Sequence, residues 1–411
     1  MQITHDLNVI IRNDRIEIKG DLRLQTMGYL TSAVHNQVRK GWTDIELDFT
    51  SLTSITSSCI PPLSAFLRLQ LINSKADFSY IEPSNPTLKA RLRTLGLAHY
   101  ICHRSAPKPK NNSAEPSVLQ FLTHEEREVA VDKVVNSALR TMKLGPQQVA
   151  GLEWAVNEIT DNVITHANSR VGGFLICNKI SDNILEFTVA DAGIGILRSL
   201  GGDTDQEALE RAIQEGVTRN TKTNQGNGLY GTYRLALVSS GIFVLRSGHG
   251  NLFVTKDGGM HIKSDNVLYQ GTYVVCQVDL SRPDLVERAL VIGGRSHTIG
   301  FDYIERVHET EGGELRVSAN EICKTFGSRQ SGFEARRYLE NLLEMQSGVS
   351  VIIDFDDIHV ISSSFADEVF GKLFLGLGPM NYMRRIKLIN TASTIDGLID
   401  RAITLRSRTG L

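Results

Sequence analysis

Near the start of the chain, apolar and polar residues alternate in LNVIIRN and RIEIKG, which predicts two strands. TMGYLTSAVHNQVRKG changes to helical spacing and stops at Gly41, a residue suited to closing a helix. The short apolar run DIELDF predicts a buried strand. PPLSAFLRLQLINS predicts a second helix, with Pro61 and Pro62 in its first turn, where a missing N–H costs little. ADFSYIE predicts another strand and NPTLKARLRTLGL another helix. Residues 1–105 therefore read as a small α/β domain. RSAPKPKNNSAEPS carries no apolar period and predicts a linker over 106–117.

A second domain is expected over 118–282. It opens with helical patterns and continues with the strands GGFLICNKI, ILEFTVA and TYVVCQVDL. IFVLRSG and NLFVTKDG read as adjacent strands of a hairpin. A third domain is expected over 295–411, with a helix over GFEARRYLENLLEM, the strand VSVIIDF and a late strand RRIKLIN. The fold class predicted is a multidomain α/β protein. Its first and third parts share a 15-residue element: IELDFTSLTSITSSC from Ile45 and VIIDFDDIHVISSSF from Val351 align at an offset of 306. Each has an apolar run, Asp-Phe, a polar step, an apolar residue and serines.

Composition narrows the function classes. The formal net charge is −2 over 411 residues, so nothing in the balance attracts nucleic acid or anionic lipid in general. Cys59, Cys102, Cys177, Cys276 and Cys323 are widely scattered, without metal-ligand spacing, and fit a reducing compartment. The N-terminus shows no signal-peptide pattern and no stretch is apolar enough to span a membrane. The expectation is a cytoplasmic protein without a membrane span.

The chemistry-bearing residues lie in the middle. In GLEWAVNEITDNVITHANS, Leu152, Val156, Ile159 and Val163 mark an apolar stripe, and Glu158, Asn162 and His166 recur every four residues beside it. An amide oxygen can bind a hard cation, and a carboxylate one turn away can orient or deprotonate a hydroxyl; the same spacing also describes a solvated face. ILEFTVADAGIGI delivers Asp191 at the end of an extended run, followed by Gly193 and Gly195, which permit close backbone approach. An aspartate there can accept a hydrogen bond from an exocyclic amine. In NTKTNQGNGLYGTYRLA, Gly226, Gly228 and Gly231 precede or open a helix, where backbone N–H groups can cradle phosphate. Lys222 and Arg219 can meet phosphate charge or simply be solvated. Gly271-Thr272 begins the strand TYVVCQVDL.

The order of these four motifs resembles the Bergerat-fold (GHKL) ATP-binding superfamily of gyrase-type ATPases, heat-shock chaperones, histidine kinases and mismatch-repair ATPases. VNEITDNVITHA is most similar to anti-sigma-factor serine kinases. The resemblance implies a central Bergerat-type α/β sandwich holding ATP and Mg2+. It implies Asn162 as the metal ligand, Glu158 as the catalytic carboxylate and His166 as a support behind Asn162. Asp191 would read adenine, Gly193 and Gly195 would line the base pocket, and Thr272 would back it. Lys222, Gly226, Gly228, Leu229 and Gly231 would belong to the phosphate lid. No dimerisation helix with a phosphoacceptor histidine precedes this region. A DNA-manipulating ATPase would need a basic transducer after the ATP module, and the third segment is not basic.

The first segment resembles the STAS fold of anti-sigma-factor antagonists, and the last resembles an STAS-like domain found beside bacterial Bergerat ATPases. The resemblance thus implies two small STAS-like domains around the ATP module. In such antagonists a serine after the buried strand is phosphorylated, which implies Ser58, Ser363 and Ser364 as phosphoacceptors. The same serines serve equally well as helix caps. At the first copy CIPPL replaces the usual glycine after the serines. The function expected is an ATP-dependent switch that hydrolyses Mg-ATP and controls docking of the STAS-like domains or of protein partners. Such partners include a STAS or sigma-factor regulatory protein, and a homodimer is allowed. A serine/threonine protein kinase and a non-catalytic ATP-sensing scaffold are the alternatives. Nucleic acid is not expected.

Overall fold

The computed structural model describes residues 6–74, 76–102, 117–217, 227–292, 295–296 and 303–409. They form a mixed α/β protein in two compact units. One holds the described residues up to Val131, Trp154–Asp279 and those from Glu287 to Ser296; the other holds Asp132–Glu153, Leu280–Val286 and those from Tyr303 onward. The expected linker, 106–117, lies outside the described residues except for Ser117.

The first unit begins with β1 (Asn8–Arg12) and β2 (Arg15–Leu22), an antiparallel pair. Next come α1 (Met27–Arg39), β3 (Asp44–Asp48), β4 (Leu52–Ile55), α2 (Ile60–Ser74) and β5 (Asp77–Ile81). β3 lies parallel between β2 and β5, and β4 pairs with β2. α3 (Pro86–Leu95) starts on the Asn85 cap and ends at Gly96, before α4 (Leu97–Ile101).

The same unit carries a second sheet. After β6 (Leu119–Phe121) come α5 (His124–Thr141) and α6 (Pro146–Asn162), then a π turn over Val163–Ala167. β7 (Gly173–Lys179), β8 (Ile184–Asp191), α7 (Ile196–Leu200), α8 (Asp205–Ala212) and α9 (Gly228–Val238) follow. β9 (Phe243–Val254) and β10 (Met260–Asp279) complete an antiparallel sheet of order β6-β7-β8-β10-β9. α10 (Leu285–Ala289) and the short pair β11 (Val291–Ile292) and β12 (Arg295–Ser296) close the stretch.

One expected feature is corrected here. IFVLRSG and NLFVTKDG are not two strands of a hairpin but one strand, β9, whose hairpin partner is β10. The Gly248-His249-Gly250 stretch looks like a turn in sequence. It is instead where the strand passes close to α8: a Cβ on Gly248 would overlap the Asp205 carboxylate, and the His249 N–H donates to Asp205 Oδ2 at 2.8 Å. The reversal comes later, between Thr255 and Gly259.

The two-residue alternation of strands divides this sheet into faces. Register places Phe174, Ile176, Thr188, Ala190, Tyr273 and Val275 on one face, and Leu175, Phe187, Val189, Asp191, Val274 and Cys276 on the other. α9 lies on the second face, where Cys276 meets the Thr232 carbonyl. α2 lies against β7 and β8. One hydrophobic core therefore runs from Leu30, Leu47, Leu63 and Leu67 through to Phe174, Ile176, Ala190, Tyr273 and Val275.

In the second unit, α11 (Tyr303–His308), β13 (Leu315–Ser318), α12 (Ala319–Ile322), α13 (Arg329–Met345) and β14 (Val351–Asp354) lead to the serine turn. α14 (Ser363–Ala366), a π turn over Asp367–Gly371 and α15 (Lys372–Leu377) make one winding segment. α16 (Pro379–Arg385), β15 (Ile386–Ile389) and α17 (Ser393–Thr409) follow. β13, β14 and β15 are all parallel. Residues of α5 belong here too: the buried Asn341 amide donates to the carbonyls of Leu139 and Met142 at 2.7 and 2.8 Å and accepts from the Leu144 N–H at 3.1 Å.

The sequence repeat is a structural repeat. Arg15 lies opposite Glu46 in the β2–β3 register, and Arg316 opposite Ile352 in the β13–β14 register, positions equivalent at the same offset of 306. Each arginine binds the aspartate two residues on: Arg15 to Asp48 and Arg316 to Asp354, both at 2.5 Å. The Thr50 and Asp356 N–H groups donate to these aspartates at 2.9 and 3.0 Å, and the amides of Phe49 and Phe355 bond to Ile81 and Ile389.

Candidate functional site

Of the residues singled out for nucleotide binding, those that the structure describes lie in the first unit, around Asp191 and between α6 and α9. The first cluster is built around Asp191, at the end of β8 and on the face that carries α9. Its Oδ1 accepts the backbone N–H of Gly193 at 2.7 Å and of Thr272 at 3.3 Å. Oδ2 takes no bond from any described residue. Gly193 sits against Ala167 so tightly that a Cβ would overlap the Ala167 carbonyl, which also accepts the Ile194 N–H at 2.8 Å. Gly271 has φ +101°, and a Cβ there would overlap the Asp191 carbonyl. Glycine is needed at both places because main chain lies where a side chain would go.

Ser247 holds this cluster together, and sequence reasoning missed it. Its Oγ accepts the Ile196 N–H at 2.9 Å, donates to the Gly271 carbonyl at 2.8 Å and lies 3.2 Å from Thr272 Oγ1. It thereby ties the loop after Gly195 to the start of the Thr272 segment. A lone serine inside a strand pattern gives no signal; the alternation of β9 places it on the Asp191 face, opposite Thr272.

The second cluster joins α6 to α9. Leu152, Val156, Ile159 and Val163 are buried as the apolar stripe requires, while Glu158, Asn162 and His166 are half-buried. Gly228, the first residue of α9, lies against Glu158 with no room for a Cβ between them. Gly231 packs in the same way on Trp154. Leu229 is half-buried on the same helix. Asn227 receives the Gly216 N–H at 3.0 Å, fastening the start of α9. Lys222, Gly226 and Arg219 lie outside the described residues.

The spacing of Glu158, Asn162 and His166 implies one continuous α-helical face. The α-helix ends at Asn162, and a π turn carries His166. It also delivers Ala167 to Gly193, so the π turn links the helix to the Asp191 loop.

Electrostatics sharpen both clusters. Burial raises the Asp191 carboxyl to about 7, against the stabilising N–H bonds from Gly193 and Thr272. Burial also raises Glu158, helped by the negative charge of Asp161 and opposed by Arg127. Both carboxyls are held nearer to neutral pH than ordinary carboxylates, a condition suited to proton transfer or to a hydrogen bond from a neutral ligand.

The serine turns differ. Ser58 is 6% exposed, inside the first unit. Ser57 is half-exposed and accepts from Arg91 at 3.0 Å. In the second unit Ser362 caps α14 through the Phe365 N–H, Ser364 shares a bond with Ser362 at 2.9 Å, and Ser363 is exposed.

A protein-family model described as a STAS-like domain of unknown function matches residues 334–396, and this stretch is an STAS-like domain. It contains β14, the serine turn and β15. Among curated proteins, none matches this chain. Among the described residues, no helix is long and apolar enough to cross a membrane, and no group of three or more His, Cys, Asp and Glu is placed to hold a metal ion.

Proposed function

We propose that the first unit contains a Bergerat-type ATP-binding module and that the chain is an ATP-dependent regulatory switch acting through its STAS-like domains. The observation that carries this reading is the convergence on Asp191. A buried carboxylate has one oxygen held by two main-chain N–H groups and the other oxygen left for a ligand, with glycine main chain packed closely around it. An exocyclic amine such as that of adenine suits such an acceptor.

The donor set also fits magnesium. Mg2+ retains water and takes few protein ligands when a triphosphate supplies the rest. A single amide oxygen from Asn162 meets that need. When bound, the ion would neutralise phosphate charge. Glu158, one turn before Asn162 and raised toward neutrality, would take a proton from water. Gly228 keeps the start of α9 against that carboxylate, so the placing of this helix and of the base are coupled.

A serine-kinase reading is favoured by one observation: Ser363 is exposed at the start of α14. In that case Glu158 would take the proton of a serine hydroxyl instead of water. Incubation with γ-labelled ATP tests both. Free phosphate that disappears in Glu158→Gln supports hydrolysis, and label on protein that disappears in Ser363→Ala supports transfer. Neither product from protein that binds ATP leaves the non-catalytic sensor.

A further inference from the structure

We infer that the N-terminal α/β domain regulates the nucleotide site in cis from the opposite face of the sheet, and that Tyr269 is the positioning residue connecting them. This rests on the nucleotide reading of the Asp191 cluster.

Tyr269 is 4% exposed and lies on β10, two residues before Gly271. Its hydroxyl is 3.0 Å from the Asp191 carbonyl oxygen and 3.4 Å from that of Pro62. A tyrosine hydroxyl has one hydrogen to donate. Here it has two carbonyl acceptors, one on the strand end that presents the Asp191 carboxylate and one in the first turn of α2, three residues after Cys59. A shift of the Asp191 strand end changes which acceptor is favoured.

The core shared by α2 and the sheet also encloses polar groups. α2 is buried on all sides from Ile60 to Leu67, and most of its contacts are apolar. Yet Ser64 Oγ and Arg68 Nε and Nη1 on α2 are buried and make no hydrogen bond with any described residue. The same holds for Asn178 Nδ2 on β7 and Thr188 Oγ1 on β8, and strand alternation puts both residues on the face toward α2. Unpaired buried polar groups penalise the closed arrangement and regain water when it opens. Contacts that tie the domain down sit around this seam: Tyr100 packs edge-on against Phe174 at 5.2 Å, and Arg170 donates to Asn73 at 2.9 Å.

Nucleotide that fixes the Asp191 strand end would therefore hold Tyr269 in place and tighten α2 on the sheet. By reciprocity, loosening α2 would weaken nucleotide binding by the same factor. Ser58 lies in the turn leading into α2, so opening of this seam is also what would expose it.

The test is site-resolved thiol labelling of the full chain with and without saturating Mg-ATP, with binding measured separately by calorimetry. Cys59 is fully buried beside α2; Cys276 is fully buried on the other sheet face and reports opening of the unit as a whole. The inference predicts that Mg-ATP slows Cys59 labelling about fivefold or more beyond any change at Cys276, and that Tyr269→Phe removes this difference while still binding ATP. ATP binding with no selective protection of Cys59, or equal protection in Tyr269→Phe, overturns the coupling alone. No ATP binding overturns the nucleotide reading and the coupling with it. If Tyr269→Phe melts below the assay temperature, hydrogen exchange of residues 57–70 in the unaltered chain decides: slowing by Mg-ATP supports the inference, and no slowing overturns it.

Discussion

Gly228 begins α9 directly against the Glu158 carboxylate, with no space for a single added carbon between them. Two segments far apart in sequence are thereby fitted to each other at the group proposed to move a proton. Gly228→Ala must displace either the carboxylate or the first turn of the helix. Overpacking of this kind costs about 1–3 kcal/mol. The expected outcome is a modestly lowered melting temperature with a loss of phosphate release on the order of tenfold or more, because small displacements of a base are costly to rate. Thermal melting alongside a phosphate-release assay checks both. Unchanged release would show that Glu158 need not be placed by α9.

Asp191 makes both binding and stability depend on pH. Its folded carboxyl, raised by burial to about 7, lies above its unfolded value. The ionised form accepts an amine hydrogen, so adenine-nucleotide affinity is expected to rise as pH goes from 6 to 8. Stability has the opposite sign. Between the unfolded and folded values the native state binds the extra proton, so this group makes stability fall as pH rises across that window. Asp191→Asn removes both trends. Titration calorimetry and thermal melting at several pH values measure them.

The repeated arginine–aspartate pair predicts a trend in the acid range. Asp354 is held below its ordinary value by hydrogen bonds from Arg316, then from Asn390, against a small burial cost. A lowered folded value contributes stability that is full above the unfolded value and is lost as pH falls through the folded one. Asp354→Ala also strips partners from Asn390 and the Asp356 N–H. The expected cost is about 1–3 kcal/mol at neutral pH, shrinking in acid. Chemical denaturation at pH 7 and pH 3 reads it. At the first copy burial opposes the lowering of Asp48, and bonds from Thr50 and Arg15 outweigh it, so Asp48→Ala should show the same sign.

Asn341 predicts a larger effect without pH dependence. Its buried amide satisfies two carbonyls and one N–H of the chain around Leu139–Leu144. Asn341→Leu fills the space yet leaves those main-chain groups unpaired, at an expected cost of at least about 2 kcal/mol. A shift of the denaturation midpoint with an unchanged slope measures it.

Much of the first and last α/β parts was legible because their helices and strands keep clean periods, and α1 is followed by the stop signal Gly41. The 306-residue repeat could be seen as a pattern, but its shared arginine pair could not, since Arg15 and Arg316 lie outside the repeated stretch and meet it only through strand register. Gly248 and Gly250 read as a turn because sequence does not show that α8 approaches there. Ser247 had no local signature. The π turn after Asn162 was hidden for the same reason: VITHA continues a respectable helical pattern. The packing of α2 on the second sheet did leave a trace. PPLSAFLRLQL is apolar on every side, which a helix covered on only one face does not need.

The most direct test of the central claim is calorimetric titration of the folded full chain with Mg-ATP, set beside Asp191→Asn and Mg-GTP. Saturable binding of ATP by the unaltered chain is expected, with at least about tenfold weaker binding by Asp191→Asn and a comparable preference for ATP over GTP. Absence of binding to well-folded protein, or ATP affinity unaffected by Asp191→Asn, would contradict it.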